Sequence, residues 1–275
     1  MSEGTARRRS GTVLFRAGAV LVGFAAIAAV IGPAIVPFDP ASQELSLRLA
    51  GPSQTHLFGL DELGRDILTR VLAGARISFL VGLTVVSVSA TLGTLLGALA
   101  GYFGGLTDDV ISRVVDVLLA FPGLLLAIAL VAVLGPSLGN VLFALTTIGW
   151  VGYARLVRGQ VLRAREFEYV QAARALGAGS GRVLWRHVIP TAMPAVVVQA
   201  TLGMAAAIIG EAALSFLGLG VQPPTPSWGT MLNGGRAHIL DAPHLTLFPG
   251  LAIALLVLGF NFLGDGLRDF TDPKA

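Results

Sequence analysis

The sequence predicts an all-α membrane protein with six transmembrane helices and both termini in the cytoplasm. Three observations predict it. Charged residues are 13% of the 275-residue chain and AVILMFWYC residues 54%, whereas a soluble domain carries about 25% charge. Mean hydropathy is +0.78. Long stretches carry no Asp, Glu, Lys or Arg, and the arginines are shared unevenly between the segments that join them.

A bilayer core about 30 Å thick needs about 20 apolar residues at 1.5 Å each. Residues 17–38 supply the first span. It is longer than a signal-peptide core of about 7–15 residues, so a retained helix is expected rather than a cleaved leader. Residues 77–107 give the second span, whose apolar part ends near Gly101. Residues 117–154 are too long for one crossing and break at Gly135-Pro136-Ser137, giving the third and fourth. Residues 188–210, extended to Leu217, give the fifth, and 245–264 the sixth. With the N-terminus inside, fourteen Lys and Arg fall in inside segments and five (Arg48, Arg65, Arg70, Arg76, Arg236) in outside ones. That bias places both ends and the loop at 155–187 in the cytoplasm.

The joining segments have their own signals. Pro37, Pro40 and Pro52 keep the start of the first outside segment irregular. Asp61 has the character of a helix N-cap. After it, Ile67, Leu68, Val71, Leu72 and Ala75 share one face. They form either an interfacial helix lying on the membrane or a helix packed on neighbouring spans. Between 218 and 244, Gly218, Gly220, Pro223, Pro224 and Pro226 argue against a helix, and Trp228 is placed at the headgroup level.

Composition removes several chemistries. There is no cysteine, so disulfides, thiolate metal sites and cysteine nucleophiles are excluded. His56, His187, His238 and His244 are too scattered for a zinc site. The single lysine, Lys274, cannot serve a phosphate-cradling P-loop. A pI near 9.9 with a net charge of only +3 gives no nucleic-acid footprint. The chain is therefore read as no enzyme, with no cofactor or metal of its own. An intramembrane enzyme would need a nucleophile with a base, or grouped carboxylates. A stand-alone ion-coupled carrier would need more spans or visible repeats.

The most informative segment is QAARALGAGSGRVLWRHVIP, Gln171 to Pro190. Good helix formers run from Glu166 to Leu176, Gly177 suits a left-handed helix end, and a second short helix is expected over Ser180 to Val188. Pro190 suits the first turn of the next span. Ala172 and Ala173 leave room for another backbone. Phe167, Leu176, Leu184 and Trp185 are apolar in a segment expected to be wet. They form either a partner surface or a patch that packs back on the span ends.

This segment resembles the cytoplasmic EAA loop of binding-protein-dependent ABC transporter permeases, which reads E-A-A, three residues, G, nine residues, I-x-L-P. Here the elements are Gln171-Ala172-Ala173, Gly177 and His187-Val188-Ile189-Pro190, with departures at Gln171, His187 and Ile189. THLFGLDELGRDILTRVLAGARIS (55–78) and GEAALSFLGLGVQPPTPSWGTML (210–232) resemble the C-type permease subunit of dipeptide, oligopeptide and nickel importers, and GYFGG (101–105) adds a weaker match.

The resemblance implies a type I ABC importer permease fold. Residues 1–75 would form the tail, first helix and outer segment, and 76–275 the transmembrane domain, with a coupling loop at about 159–188. The chain would form half of a translocation path beside a second permease subunit. Two cytoplasmic ATPase subunits would hold ATP and Mg and seat the coupling loops, and an extracytoplasmic binding protein would deliver cargo. Gln171, Ala172, Ala173, Leu176, Gly177, Trp185 and Pro190 are the expected coupling residues.

Polar groups in the spans remain. Glu211 belongs either to the translocation path or to a buried structural contact. Asn261, with Asp265, either touches the path or caps the sixth helix. Asp116 has Arg113 at i−3 as its expected partner. Gly82, Gly93, Gly97, Gly203 and Gly210 are read as close-packing positions.

Overall fold

A computed structural model describes residues 2–271, and side chains over 11–32 and 34–270. Arg7, Arg8, Arg9 and Lys274, counted in the charge bias, lie outside the described side chains. The element order is α1 (Ser2–Ile35), α2 (Ile67–Phe103), α3 (Gly105–Leu119), α4 (Gly123–Leu134), α5 (Leu138–Ala164), α6 (Glu168–Ala175), α7 (Ser180–Val183), a π turn (Leu184–Val188), α8 (Ile189–Phe216), α9 (Trp228–Gly235) and α10 (His244–Thr271). Among the described residues the only β pairing is an isolated bridge between Leu60 and Asp66.

The all-α membrane fold is as expected. Five helices are long and apolar enough to cross a bilayer, and the bent pair of α3 with α4 makes six if the two together are one span. That third crossing differs from the sequence reading. It breaks between Leu119 and Gly123 with an 86° bend, inside the stretch read as one span. Pro122 is the cause, because a proline lacks the helix N–H and pushes Phe121 away from helical dihedrals. The 12 residues of α4 reach only about 18 Å alone. The expected break at Gly135-Pro136-Ser137 is present. Gly135 takes φ +93°, and Ser137 caps α5 by accepting from Asn140 N at 3.1 Å.

Residues 67–75 are not a separate interfacial helix. They are the first turns of α2, which runs on unbroken to Phe103. Its N-cap is Asp66, which accepts from Thr69 N at 2.8 Å, and not Asp61. The Asp61 carboxylate is held by its own turn, accepting from Leu63 N, Arg65 N and Arg65 Nε at 2.9, 3.0 and 2.7 Å. Trp228 is buried rather than at a headgroup surface. Its indole N–H donates to the Val71 carbonyl at 2.9 Å. The 218–244 segment also holds an α-helix, α9, followed by a 3-10 turn over Arg236–His238. The helix begins just after Pro226, where Ser227 and Thr230 form a capping box.

Helices α2 and α5 share the closest packing. Gly93, Gly97 and Gly101 recur every fourth residue and lie against Trp150, Ala154 and Arg158 with Val161. A Cβ on Gly97 would stand 2.3 Å from the Ala154 carbonyl oxygen. Backbone contact of this kind is how membrane helices gain dispersion energy without a hydrophobic drive between them. Antiparallel α1 and α10 meet at Phe15 and Phe270, whose rings lie 5.8 Å apart.

Candidate functional site

The segment after α5 folds as a hooked helix pair. Helix α6 ends in a Schellman turn: Ala178 N donates to Ala173 O at 3.1 Å and Gly177 N to Arg174 O at 2.9 Å. Gly177 takes φ +84° there, a conformation that costs other L-residues roughly 1–2 kcal/mol. The chain then turns into α7. The second short helix of the sequence reading is continuous with the fifth span, since Ser180–Phe216 counts as one membrane-length helix. Only the π turn at Leu184–Val188 marks the joint. Pro190 is the second residue of α8, and it comes just after the π turn, where the helix bonding shifts to i→i−5 (Ile189 N to Leu184 O).

The apolar residues of this hook sort into two groups. Val170, Val183, Leu184 and Val188 are buried against Ala98 and Tyr102 of α2 and Val157 and Val161 of α5. Phe167, Tyr169, Leu176 and Trp185 are exposed. Both sequence readings of the patch are thus realised, by different residues: Leu184 packs back and the others face outward. Gln171 and Ala172 are exposed and Ala173 is half-buried. The Gln171 side-chain amide donates locally to Glu166 O at 3.4 Å. The exposed coupling candidates therefore share one loop, whose inner face is anchored in the bundle.

Polar tethers fix the hook to the span ends. Arg165 donates to Gly101 O at 3.0 Å. The Arg174 guanidinium lies 4.9 Å from the Tyr102 ring centroid, a cation–π contact. The Tyr169 hydroxyl donates to His187 O at 3.3 Å, joining α6 to the π turn. Arg158 clasps Asp108 of α3 through Nε at 2.5 Å and Nη2 at 2.7 Å. The clasp was not legible in the sequence, because its partners are fifty residues apart with no local spacing rule to link them. Asp116 pairs across helices with Arg155, at 3.8 Å, and not with Arg113, because α3 packs against α5.

Glu211 and Asn261 lie elsewhere. Glu211 is 22 residues along α8 from Ile189, about 33 Å up the helix. It is fully buried and its Oε1 accepts from Ser215 Oγ at 2.6 Å. Ser215 Oγ in turn accepts from Val221 N at 3.2 Å. Asn261 is half-buried on α10. Among the described residues no three His, Cys, Asp or Glu side chains gather as a metal site.

The family model described as binding-protein-dependent transport system inner membrane component matches residues 93–275. The chain is 48% identical over 257 residues to the dipeptide transport system permease protein DppC of Alkalihalophilus pseudofirmus, covering 94% of this chain and 84% of that one. It is 50% identical over 241 residues to the glutathione transport system permease protein GsiD of Pectobacterium atrosepticum, covering 87% and 80%. It is 42% identical over 265 residues to the probable D,D-dipeptide transport system permease protein DdpC of Escherichia coli, covering 96% and 89%.

Proposed function

The chain belongs to the binding-protein-dependent transport system inner membrane components, and from that premise we propose that it forms half of the membrane path of an ATP-driven importer of dipeptides and related short peptides. It is a permease subunit, not an enzyme. The names of three relatives, two dipeptide permeases and a glutathione permease, support the cargo class.

One observation carries the coupling role. Leu176 and Trp185 project from a hook whose opposite face is locked into the ends of α2 and α5. A rigid apolar knob on a polar surface is what a partner groove needs in order to push on the bundle. The partner is a cytoplasmic ATPase subunit, which holds ATP and Mg. Gln171, Ala172, Ala173, Leu176, Gly177, Trp185 and Pro190 form or shape the seat. Two ATPases, a second and distinct permease, and an extracytoplasmic binding protein complete the complex. The arginine bias orients the hook and both termini to the cytoplasm. When ATP draws the ATPases together, the hook moves with them and α2, α5 and α8 tilt with it.

The test is Leu176→Glu in the reconstituted complex. Loss of transport, with assembly and basal ATP hydrolysis retained, supports this reading. Wild-type transport by the variant contradicts it.

A further inference from the structure

Two helical runs of 37 residues lead away from the hook: Ile67–Phe103, which is α2, and Ser180–Phe216, which joins α7, the π turn and α8. They differ in stiffness. Helix α2 has no proline and no break. The second run is disturbed repeatedly between Leu184 and Pro194. The π turn comes first, with Ile189 N donating to Leu184 O. Pro190 and Pro194 follow, four residues apart. Neither has an N–H, so Arg186 O and Pro190 O lose their ordinary i+4 donors. Val188 takes φ −97° and ψ −56°, away from the helical mean near −63° and −42°. Its carbonyl accepts from Thr191 Oγ1 at 2.7 Å, and the His187 carbonyl accepts from the Tyr169 hydroxyl. Prolines, π turns and side chains inserted into the bonding ladder are where helices bend.

Packing sets this joint between two bodies. Ile189, Ala192 and Val196 are buried with Val183 and Leu184 of the hook, and with Ala98, Tyr102, Val157 and Val161. Farther along α8, Met204, Ala205 and Ile208 are buried in a separate cluster, with Ala29 of α1 and Leu256 and Phe260 of α10. Helix α2 belongs to both clusters, through Ala98 and Tyr102 in the first and Ala75 and Val86 in the second. The rings of Pro190 and Pro194 are exposed, so packing inside this bundle does not account for them.

We propose that Leu184–Pro194 is a flexure. When the hook moves, α2 carries the displacement through the bundle as a stiff strut. Helix α8 is packed with α2 and α5 near the hook and with α1 and α10 at its far end, and it bends at the joint between them. The hook then swings while Met204, Ala205 and Ile208 keep their packing. A straight α8 would have to break one of the two clusters, which close packing resists. The tilt of α8 is thus taken up at this joint rather than along its whole length. This rests on the reading of the hook as the ATPase seat.

The experiment has two arms, both on the assembled complex. In nanodiscs, amide hydrogen exchange over 187–195 should be about tenfold or more faster than over 95–101 of α2, which shares its cluster. Equal protection of the two segments overturns the flexure. In proteoliposomes, dipeptide uptake per ATP hydrolysed is compared for Pro194→Ala and Pro194→Gly. Alanine restores the N–H and stiffens the helix, whereas glycine restores the N–H and keeps the backbone soft. Pro194→Ala should lower uptake per ATP by about threefold or more, and Pro194→Gly should keep most of it. An equal loss in both variants would mean that the proline ring itself is needed, as a contact for lipid or the second permease, and overturns the flexure. So does wild-type uptake per ATP in Pro194→Ala. Where neither variant assembles, the wild-type exchange comparison decides alone. A wild-type complex whose ATP hydrolysis drives no uptake would instead overturn the importer reading, while the exchange pattern would still test the joint.

Discussion

Leu176 and Leu184 stand eight residues apart in one loop and face opposite ways: Leu176 is 89% exposed and Leu184 is 4% exposed. One chain segment thus carries an anchor and a knob. Leu184→Ala should destabilise the complex by about 2–5 kcal/mol, as buried leucine truncations do. Leu176→Ala should leave stability unchanged and lower ATP hydrolysis stimulated by loaded binding protein by about tenfold. Thermal unfolding in detergent and stimulated ATPase assays separate the two effects.

Gly177 closes α6 at φ +84°. Gly177→Val should strain this turn by roughly 1–2 kcal/mol and misplace the knob. Uptake should fall steeply while the spans still assemble. Gly177→Asn should be milder, because asparagine tolerates the left-handed conformation. Uptake by the two variants, normalised to the assembled complex, checks the order.

The Asp108–Arg158 clasp ties the bent third crossing to α5. Both side chains are partly exposed, at 19% and 38%, so solvent screening limits the pair to about 1 kcal/mol or less. Asp108→Asn should therefore cost little stability but loosen α3. Increased proteolysis or hydrogen exchange confined to 105–119 is the expected signature. No change there would mean that helix packing alone holds α3.

Trp228 joins α9 to the start of α2 and lies against Gly74. Trp228→Ala should cost about 3–5 kcal/mol. Trp228→Phe should cost distinctly less, because it keeps most of the buried ring and loses only the bond to Val71 O. Unfolding midpoints of the two variants measure the difference.

Much of this architecture was legible in the sequence, for reasons that differ by element. The five long apolar helices and the bent pair follow from the charge-free runs, and the hook from Gly177 and Pro190, whose backbone chemistry is local. The α3–α4 bend was missed because Pro122 sits inside an otherwise apolar run and periodicity there is blind to direction. Asp61 was misassigned as the α2 cap because two aspartates five residues apart offer the same local signal. Only the turn that captures Asp61 with Arg65 tells them apart. The burial of Trp228 and the Asp108–Arg158 clasp depend on contacts distant in sequence, which no spacing rule encodes. The split between Leu176 and Leu184 follows from the packing of α8 on α5, beyond the reach of composition.

The central claim is that an ATPase subunit seats the hook. The chain has no cysteine, so Leu176→Cys gives a single addressable thiol. In membranes holding the assembled complex, a short thiol cross-linker should join residue 176 to an ATPase subunit, and an impermeant thiol reagent added outside intact cells should leave it unlabelled. Labelling from outside, or the absence of any adduct with an ATPase, would contradict the account.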